Sequence, residues 1–319
     1  EHVRVHADRV AASLSASGLW PRVHALAPGE QHKTVRSLEA LWDAALAHAV
    51  DRRGAIVAVG GGVVLDVAGL AAATLLRGVR WAAVPTTVLA MADASVGGKT
   101  AIDRPEGKNL VGAFHQPALV AVDPGVLSTL PDRALRAGLA EVVKSAWIAG
   151  EVELARLERD ADALAARDPA ALRSAIGMAL RVKARIVAHD ERETHARLAL
   201  NLGHTIGHAL EAASGYALEH GEAVALGLCA AHRVARALGA GGSADEARTT
   251  VLLTRLGLPV DLRAAGLHGV ALEPFLAADK KAQGGHVRFV VPGAPGILAI
   301  ASLRPGEVLA AARSGGAGS

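Results

Sequence analysis

The chain has 319 residues, of which 51% are hydrophobic and only 3% aromatic, and its 34 Lys and Arg nearly balance 31 Asp and Glu. Because the cations are scattered singly, the charge argues against a nucleic-acid-binding tail and favours a pocket for a small anion. The single cysteine, Cys229, excludes an internal disulfide and a cysteine-based metal site, and no apolar run reaches the roughly 18 residues of a membrane span. We therefore expect a soluble, cytoplasmic protein of two domains that binds neither nucleic acid nor a membrane.

The first 125 residues alternate between predicted helices and strands. Helical spacing of apolar residues predicts helices at 36–49 and 64–76, and short apolar runs predict strands at 55–59, 79–84 and 118–122. Such alternation is typical of a mostly parallel sheet. We therefore predict an α/β, Rossmann-like nucleotide-binding domain over residues 1–125.

The pattern changes after residue 126. Helical periodicity predicts helices at 133–149, 151–166, 169–189, 198–213, 221–238 and 244–256, with a late strand at 287–291. These elements indicate a mainly helical domain over residues 126–313. The Gly- and Ser-rich segment 314–319 is predicted to be a disordered tail.

A glycine turn follows the first predicted strand. Gly60, Gly61 and Gly62 precede a predicted helix that carries Asp66. Glycines allow the backbone to approach a diphosphate, and the helix N-terminus supplies free N–H groups. The spacing differs from Gly-x-Gly-x-x-Gly, so a simple strand-to-helix turn is the alternative interpretation.

A second glycine-containing segment, residues 93–109, holds Lys99 and Lys108 beside glycines, which suits an anion. It differs from a P-loop because Asp93 stands where the first glycine should be, so the spacing argues against a nucleoside triphosphate site. A polar surface loop is the alternative interpretation.

Five polar residues recur at helical spacing within the predicted helix 198–213 and its approach: Arg197, Asn201, His204, His208 and Glu211. They predict one polar stripe on a helix whose other sides are apolar and buried, so the stripe should face something other than bulk water. Gly203 and Gly207 interrupt this helix, and each costs roughly 1 kcal/mol relative to Ala. Close approach of another group would explain that cost.

Histidines in this stripe are candidate metal ligands. His204 and His208 lack the glutamate of the zincin motif, so further ligands must come from elsewhere. His220 opens the next predicted helix, and Glu141 shares a helix face with Lys144. A carboxylate and two imidazoles suit Zn²⁺ or Co²⁺ and leave coordination positions open for a substrate.

Taken together, these motifs resemble the 3-dehydroquinate synthases of the sugar phosphate cyclase family. The resemblance runs from about residue 29 to residue 292, and its segments are 29–34, 60–66, 76–79, 84–87, 93–109, 140–144, 201–208, 220–224 and 279–281. It implies the conversion of 3-deoxy-D-arabino-heptulosonate 7-phosphate to 3-dehydroquinate and phosphate, a step of the shikimate pathway to aromatic amino acids. Bound NAD⁺ would take a hydride from C5 and return it after phosphate elimination, before the carbocycle closes.

The resemblance also implies a role for each matching residue. The divalent metal, Zn²⁺ or Co²⁺, would be bound by Glu141, His204 and His220. NAD would be held by Glu30, Lys33, Gly61, Gly62, Asp66, Thr86, Thr87 and Thr129, with Asp93, Lys99 and Lys108 where nucleotide and substrate meet. The substrate phosphate would face Lys99, Asn109, His208 and one of Lys280 and Lys281, and its carboxylate and hydroxyls would face Lys144, Lys183, Arg197 and Asn201. Arg77 would reach the site of a neighbouring subunit, which implies a homodimer.

The chain departs from the family pattern at a few positions. Members carry about one more strand before the position of Glu1, with an acidic residue near the adenosine ribose, so we expect that strand to be missing here. Leu65 replaces a usual glycine and Ala134 a common glutamate, and neither change removes a metal ligand or a substrate-facing cation.

Three other functions stay open. The chain could be another sugar phosphate cyclase, making aminodehydroquinate, 2-deoxy-scyllo-inosose or a valiolone. Arg197, Asn201 and His208 favour dehydroquinate synthase over the last two, whose substrates lack the carboxylate, but not over the amino variant. A metal-dependent glycerol or alcohol dehydrogenase, or a non-catalytic nucleotide-binding protein, are the further alternatives.

Overall fold

The computed structural model describes residues 3–262, 271–277 and 284–313. The chain forms two compact units, Glu1–Leu135 and Arg136–Ser319, and each is described by itself. The tail predicted at 314–319 and the predicted phosphate-facing residues Lys280 and Lys281 lie outside the described residues.

The first unit is built around a parallel sheet with the strand order β1-β2-β5. Its strands are β1 (Ala55–Gly60), β2 (Arg80–Pro85) and β5 (Leu119–Val120), and its helices are α1 (Arg4–Ala16), α2 (Val35–Ala47) and α3 (Gly62–Thr74). Leu65 and Ala68 of α3 pack with Trp81 and Ala83 of β2 in one buried cluster. The predicted parallel α/β arrangement is confirmed, whereas α1 was not predicted.

An antiparallel hairpin occupies most of the segment 93–109 and extends beyond it. It pairs β3 (Lys99–Arg104) with β4 (Gly107–Phe114), so the surface-loop interpretation is wrong for these residues. Thr100 and Ile102 of β3 are buried, and a Cβ on Gly69 of α3 would lie 2.4 Å from Thr100 Cγ2. The glycine therefore allows α3 to pack directly on the hairpin.

The second unit is mainly helical, as predicted. Its helices are α4 (Asp132–Ala149), which begins just before the unit, α5 (Glu151–Ala165), α6 (Pro169–His189), α7 (His204–Ala213), α8 (His220–Ala237), α9 (Ser243–Arg255), α10 (Glu273–Ala277) and α11 (Pro305–Arg313). A hairpin of β6 (Val287–Pro292) and β7 (Leu298–Leu303) contains the predicted late strand. β7 and α11 were not predicted. No described helix has both the length and the apolar character needed to cross a membrane.

One predicted helix, 198–213, is wrong in its first half. A 3₁₀ turn, Ala196–Asn201, precedes α7, and Gly203 between them has a left-handed φ of 78°. The polar stripe is therefore split, with Arg197 and Asn201 on the 3₁₀ turn and the remaining residues on α7. Glycine adopts this φ at no steric cost, so it can redirect the chain here.

Glycines also set the spacing between α7 and α8. A Cβ on Gly227 would lie 1.9 Å from Gly203 O, and one on Gly207 would lie 3.1 Å from Ala223 O. The close approach predicted from Gly203 and Gly207 is confirmed. At the start of α8, a Cβ on Gly221 would lie 1.7 Å from the carbonyl oxygen of Ala137 in α4.

We expect Gly227→Ala to destabilise the protein by about 1–3 kcal/mol or more, because the added methyl group would force α7 and α8 apart. The matched control is Gly177→Ala in α6, where the added Cβ would meet only the flexible end of Arg181, 3.2 Å away. That control should be neutral or stabilising by roughly 0.5–1 kcal/mol, since alanine favours a helix. Urea unfolding monitored by circular dichroism measures both changes. Equal midpoints for the two variants would contradict the packing argument.

Candidate functional site

Two of the three candidate metal ligands begin helices. His204 is the first residue of α7, immediately after the left-handed Gly203, and His220 is the first residue of α8. The start of α8 is fixed by a capping box, in which Glu219 and Glu222 satisfy each other's backbone N–H groups. Glu141 lies inside α4, one turn after the residue that contacts Gly221.

These three side chains meet in the second unit. Glu141 Oε1 lies 3.2 Å from His204 Nε2 and 3.3 Å from His220 Nε2, and Glu141 is only 1% exposed. One ligand atom from each residue falls within 4.8 Å of the others. Although these atoms are close, Glu141 Oε1 makes no aligned hydrogen bond within the described part of the chain.

The partners of the two Nδ1 atoms explain why Glu141 Oε1 has no aligned hydrogen bond. His204 Nδ1 lies 3.1 Å from Leu202 O and His220 Nδ1 lies 3.0 Å from Glu211 Oε2. Because both oxygens can only accept, each Nδ1 carries the hydrogen, and in the neutral ring Nε2 keeps its lone pair. Two such lone pairs would face a carboxylate oxygen, which suits a cation placed among them. The donor set of one carboxylate and two imidazoles therefore fits a divalent metal.

The ionisation of this cluster is set by burial and by neighbouring charges. Burial alone would raise the pKa of Glu141, but Lys144, which pairs with its Oε2, and His204 hold that pKa well below its usual range. Burial, together with the charge of Lys144, lowers the pKa of His204. Burial opposes the charge on His220, yet Glu141 and Glu211 raise its pKa to about 10. The metal-free cluster thus contains an ionised carboxylate and one imidazole that readily holds a proton.

Glu211 was part of the predicted stripe but was assigned no role in the site. It is 4% exposed, and its ligand atom also lies within 4.8 Å of those of His208 and His220. His208 is exposed, with its ring centroid 5.3 Å from that of His204. The only indication in the sequence that Glu211 lies beside these histidines was its helical spacing, which placed it on the same face as His204.

Three cations predicted to face substrate are buried in the second unit: Lys144, Lys183 and Arg197. Arg197 donates through a guanidinium nitrogen to the carbonyl of Glu191, and Asn201 donates to Glu193 Oε1 at 2.6 Å. Burying a cation is costly unless an anion or a set of acceptors compensates it. Such residues suit a site that binds a carboxylate away from water.

The loop that leads to Arg197 is organised by Asp190, a residue that the sequence analysis missed. Its carboxylate accepts hydrogen bonds from the backbone N–H groups of Thr194, His195 and Arg197, at 2.9, 2.7 and 2.9 Å. The bonds from Thr194 and Arg197 are the main reason why the pKa of Asp190 lies well below its ordinary value. An aspartate after a helix gives no sequence signal for this role, because turns and caps use the same residue.

Three predicted residues surround Lys33, itself a predicted residue, in the first unit. Its Nζ lies 2.5 Å from Asp66 Oδ2 and 3.7 Å from Glu30 Oε1, and it also contacts Asn109 Oδ1. Burial would lower the pKa of Lys33, but Asp66 and Glu30 outweigh it and raise that pKa. Asn109, predicted to face phosphate, therefore contacts a residue predicted to hold the nucleotide.

The glycine turn lies at the carboxyl ends of β1 and β2. Gly61 caps α3, Thr86 N donates to Gly60 O at 2.9 Å, and a Cβ on Gly61 would lie 3.2 Å from Thr87 Cγ2. Thr86 Oγ1 is buried without a hydrogen-bond partner among the described residues. A helix N-terminus next to glycines and hydroxyl groups, at the carboxyl edge of a parallel sheet, is suited to phosphate binding.

The remaining predicted residues of the first unit lie on several different elements. Asp93 lies in a π-helical turn, Lys99 is exposed at the start of β3, and Lys108 is partly buried in β4. Thr129 bonds to His6 of α1 at 3.0 Å, and Arg77 is exposed with a left-handed φ of 66°. Neither Thr129 nor Arg77 hydrogen-bonds another predicted residue within the described ranges.

Comparison with known protein families gives two adjoining matches. Residues 23–137 match the 3-dehydroquinate synthase N-terminal family, and residues 138–282 match the 3-dehydroquinate synthase C-terminal family. The two matches together cover most of the chain.

Curated relatives extend this similarity to nearly the whole chain. A protein of Nostoc punctiforme named 3-dehydroquinate synthase is 43% identical over 307 residues, which are 95% of this chain and 84% of the relative. A protein of the same name from Methylococcus capsulatus is 48% identical over 288 residues, 90% of this chain and 79% of the relative.

Solved structures also resemble the chain. The 2-epi-5-epi-valiolone synthase of Streptomyces hygroscopicus, solved with NAD⁺ and Zn²⁺, has a TM-score of 0.86 at 29% identity, covering 97% of this chain and 86% of that one. A 2-deoxy-scyllo-inosose synthase complexed with carbaglucose-6-phosphate, NAD⁺ and Co²⁺ has a TM-score of 0.85 at 29% identity with the same coverage. A glycerol dehydrogenase of Schizosaccharomyces pombe has a TM-score of 0.69 at 18% identity, covers 98% of this chain and 79% of that one, and shares the fold alone.

The N-terminal and C-terminal family matches adjoin in the expected order. They agree with the names of relatives that are 43–48% identical to this chain. The chain therefore belongs to the 3-dehydroquinate synthase family.

Proposed function

We propose that this chain is a 3-dehydroquinate synthase that converts 3-deoxy-D-arabino-heptulosonate 7-phosphate to 3-dehydroquinate and phosphate, with NAD⁺ and a divalent metal as cofactors. The observation that carries the proposal is the meeting of Glu141 Oε1 with the Nε2 atoms of His204 and His220, at 3.2 and 3.3 Å. Relatives of 43–48% identity that are named for this activity support it.

The metal would be held by Glu141, His204 and His220. When bound, the metal supplies a Lewis acid that lowers the pKa of a substrate hydroxyl. Lys144 pairs with Glu141 Oε2, so it keeps this carboxylate ionised and leaves Oε1 directed at the two imidazoles. Zn²⁺ and Co²⁺ are the preferred candidates because both occur in the cyclase structures with 29% identity.

NAD⁺ would be held by the first unit, through the glycine turn and the cluster around Lys33. When bound, NAD⁺ supplies a reversible hydride acceptor. Gly61, Gly62 and Thr87 would admit and bind the diphosphate at the start of α3, while Asp66 holds the buried Lys33 in place. Thr86, Asp93, Lys99, Lys108 and Thr129 complete the proposed nucleotide set. We assign this role to a domain of residues 1–125, and metal and substrate binding to residues 126–313.

The substrate carboxylate and ring hydroxyls would be bound by Lys144, Lys183, Arg197 and Asn201. A guanidinium group can form two parallel hydrogen bonds with a carboxylate, and Arg197 is 1% exposed. A carboxylate that is removed from water needs a paired positive charge and hydrogen-bond donors of this kind. The residues proposed to face the phosphate are His208, Asn109, Lys99 and one of Lys280 and Lys281.

The nearest alternative is a cyclase that makes aminodehydroquinate. Its substrate also carries the carboxylate, so Arg197 favours neither product, and only identification of the product separates them. The valiolone and inosose synthases are less similar to this chain, at 29% identity, than the proteins named 3-dehydroquinate synthase. A glycerol or alcohol dehydrogenase would release NADH with each turnover.

We further propose a cytoplasmic homodimer in which Arg77 reaches the neighbouring subunit.

Incubation of the protein with NAD⁺, Zn²⁺ or Co²⁺ and the heptulosonate phosphate should release phosphate and form 3-dehydroquinate in equal amounts, without accumulating NADH. Enzymatic phosphate detection, mass spectrometry of the product and absorbance of NADH measure the three quantities. A heptulose 7-phosphate that lacks the carboxylate should react far more slowly, because Arg197 and Lys183 would lose their partner. Absence of phosphate release by folded, full-length protein loaded with metal and NAD⁺ would overturn the proposal.

We expect His204→Ala to lower metal affinity by more than about 100-fold, which is the upper range for loss of a group that only supports a ligand. The matched control is His189→Ala, an exposed histidine at the end of α6 whose Nδ1 contacts Arg185 O. Elemental analysis after dialysis should find about one ion per chain in wild type and in the control, and almost none in the variant. Retention of metal by His204→Ala would reject the ligand role.

A further inference from the structure

Glu211 has a contact that the proposed ligand set does not explain. It lies on α7 two turns after His204, it is 4% exposed, and its Oε2 is 3.0 Å from His220 Nδ1. A buried carboxylate is costly unless it is paired, and this contact with the imidazole helps to compensate the charge of Glu211.

The His220 ring is held between two carboxylates. Its Nδ1 faces Glu211 Oε2 at 3.0 Å, and its Nε2 faces Glu141 Oε1 at 3.3 Å. A hydrogen on Nδ1 leaves Nε2 as the nitrogen available to a cation. The side of the ring bound by Glu211 therefore determines which nitrogen points towards Glu141.

The Nδ1 atoms of His204 and His220 have different kinds of hydrogen-bond partner. His204 Nδ1 contacts the carbonyl of Leu202, a neutral backbone group two residues away in sequence, whereas His220 contacts a charged carboxylate on another helix. The His220 side chain is also more exposed, at 28% against 10% for His204. Hydrogen bonds to charged groups are roughly twice as strong as neutral ones, so the more exposed ring has the stronger anchor.

The packing of α7 against α8 brings Glu211 to His220. Along these antiparallel helices, Gly203 faces Gly227, Gly207 faces Ala223, and the next facing pair is Glu211 with His220. The glycine contacts involve backbone atoms, so they fix the relative position of the helices more firmly than flexible side chains would.

We propose that Glu211 is a positioning residue for the metal site, which accepts the Nδ1–H of His220 and orients Nε2 towards the ion. This inference rests on the proposed metal-binding role of Glu141, His204 and His220. Glu211 also increases the electron-donating strength of His220, because its negative charge supports the imidazole that binds a cation. It makes no direct bond to the ion in this arrangement.

The test is Glu211→Gln, which keeps the size of the side chain but replaces the charged acceptor with a neutral amide. Competition with a chromogenic chelator for Zn²⁺ should show a dissociation constant about 10–100-fold higher than that of wild type. The absorption spectrum of the Co²⁺-loaded variant should also change, since it reports the orientation of the ligands. The control is Glu307→Gln, which replaces an equivalent capping carboxylate at the start of α11 that accepts the backbone N–H of Arg304. That control should keep a metal affinity within about threefold of wild type, a change smaller than the loss expected from a supporting group.

The outcomes separate this inference from the proposed function. Failure of wild-type protein to bind metal would overturn the metal site itself, whereas equal affinities for wild type and Glu211→Gln would overturn only the role of Glu211. If Glu211→Gln does not fold, Glu211→Asp provides the second variant, because it keeps the charge but shortens the reach to Nδ1, and it should also bind metal more weakly. Loss of metal in His208→Ala together with retention in His204→Ala would place the ion among His208, Glu211 and His220 and overturn the proposal.

Discussion

The candidate metal site depends on backbone contacts that only glycine permits. Gly221 lies against the carbonyl of Ala137, which holds the start of α8 on α4, and Gly227 lies against the carbonyl of Gly203, which holds α8 on α7. Glu141 is one turn from the first contact and His204 is adjacent to the second. Since His220 begins α8, both contacts help to position it. The packing of three helices is therefore what turns three distant residues of the sequence into one cluster.

Electrostatics adds a second constraint to this packing. Glu141 is buried, and burial alone would favour its protonated form, but the positive charge of Lys144, together with the neighbouring His204, keeps its pKa low. Lys144 is one turn further along α4, so it is held on the same face as the carboxylate that it supports. The helix that supplies the carboxylate ligand thus also supplies the charge that keeps it ionised.

Local signals predicted much of the fold but little of the geometry of the site. The run 55–59 and the glycines after it predicted β1 and the start of α3, because a buried strand and a helix N-terminus each leave a short-range pattern. The hairpin β3–β4 was missed because its buried positions, Thr100 and Ile102, are too few to give a clear alternation. The helix predicted at 198–213 failed at Gly203, which has a left-handed φ and lies in close contact with α8, a helix distant in sequence. The same long-range contact explains why periodicity alone could not show that Glu141, His204 and His220 meet.

The residues proposed to bind the metal and those proposed to bind NAD⁺ belong to different compact units. All three proposed metal ligands, and Glu211 behind them, belong to residues 136–319, whereas the glycine turn and the Lys33 cluster belong to residues 1–135. Metal affinity and nucleotide affinity should therefore respond to different substitutions. We expect substitutions at Gly221 to change metal affinity, and substitutions that break the ion pair between Lys33 and Asp66 to change nucleotide affinity. The buried cations Lys144, Lys183 and Arg197 belong to the same unit as the proposed metal ligands, whereas Lys99 and Asn109, which we propose to face the substrate phosphate, belong to the first unit.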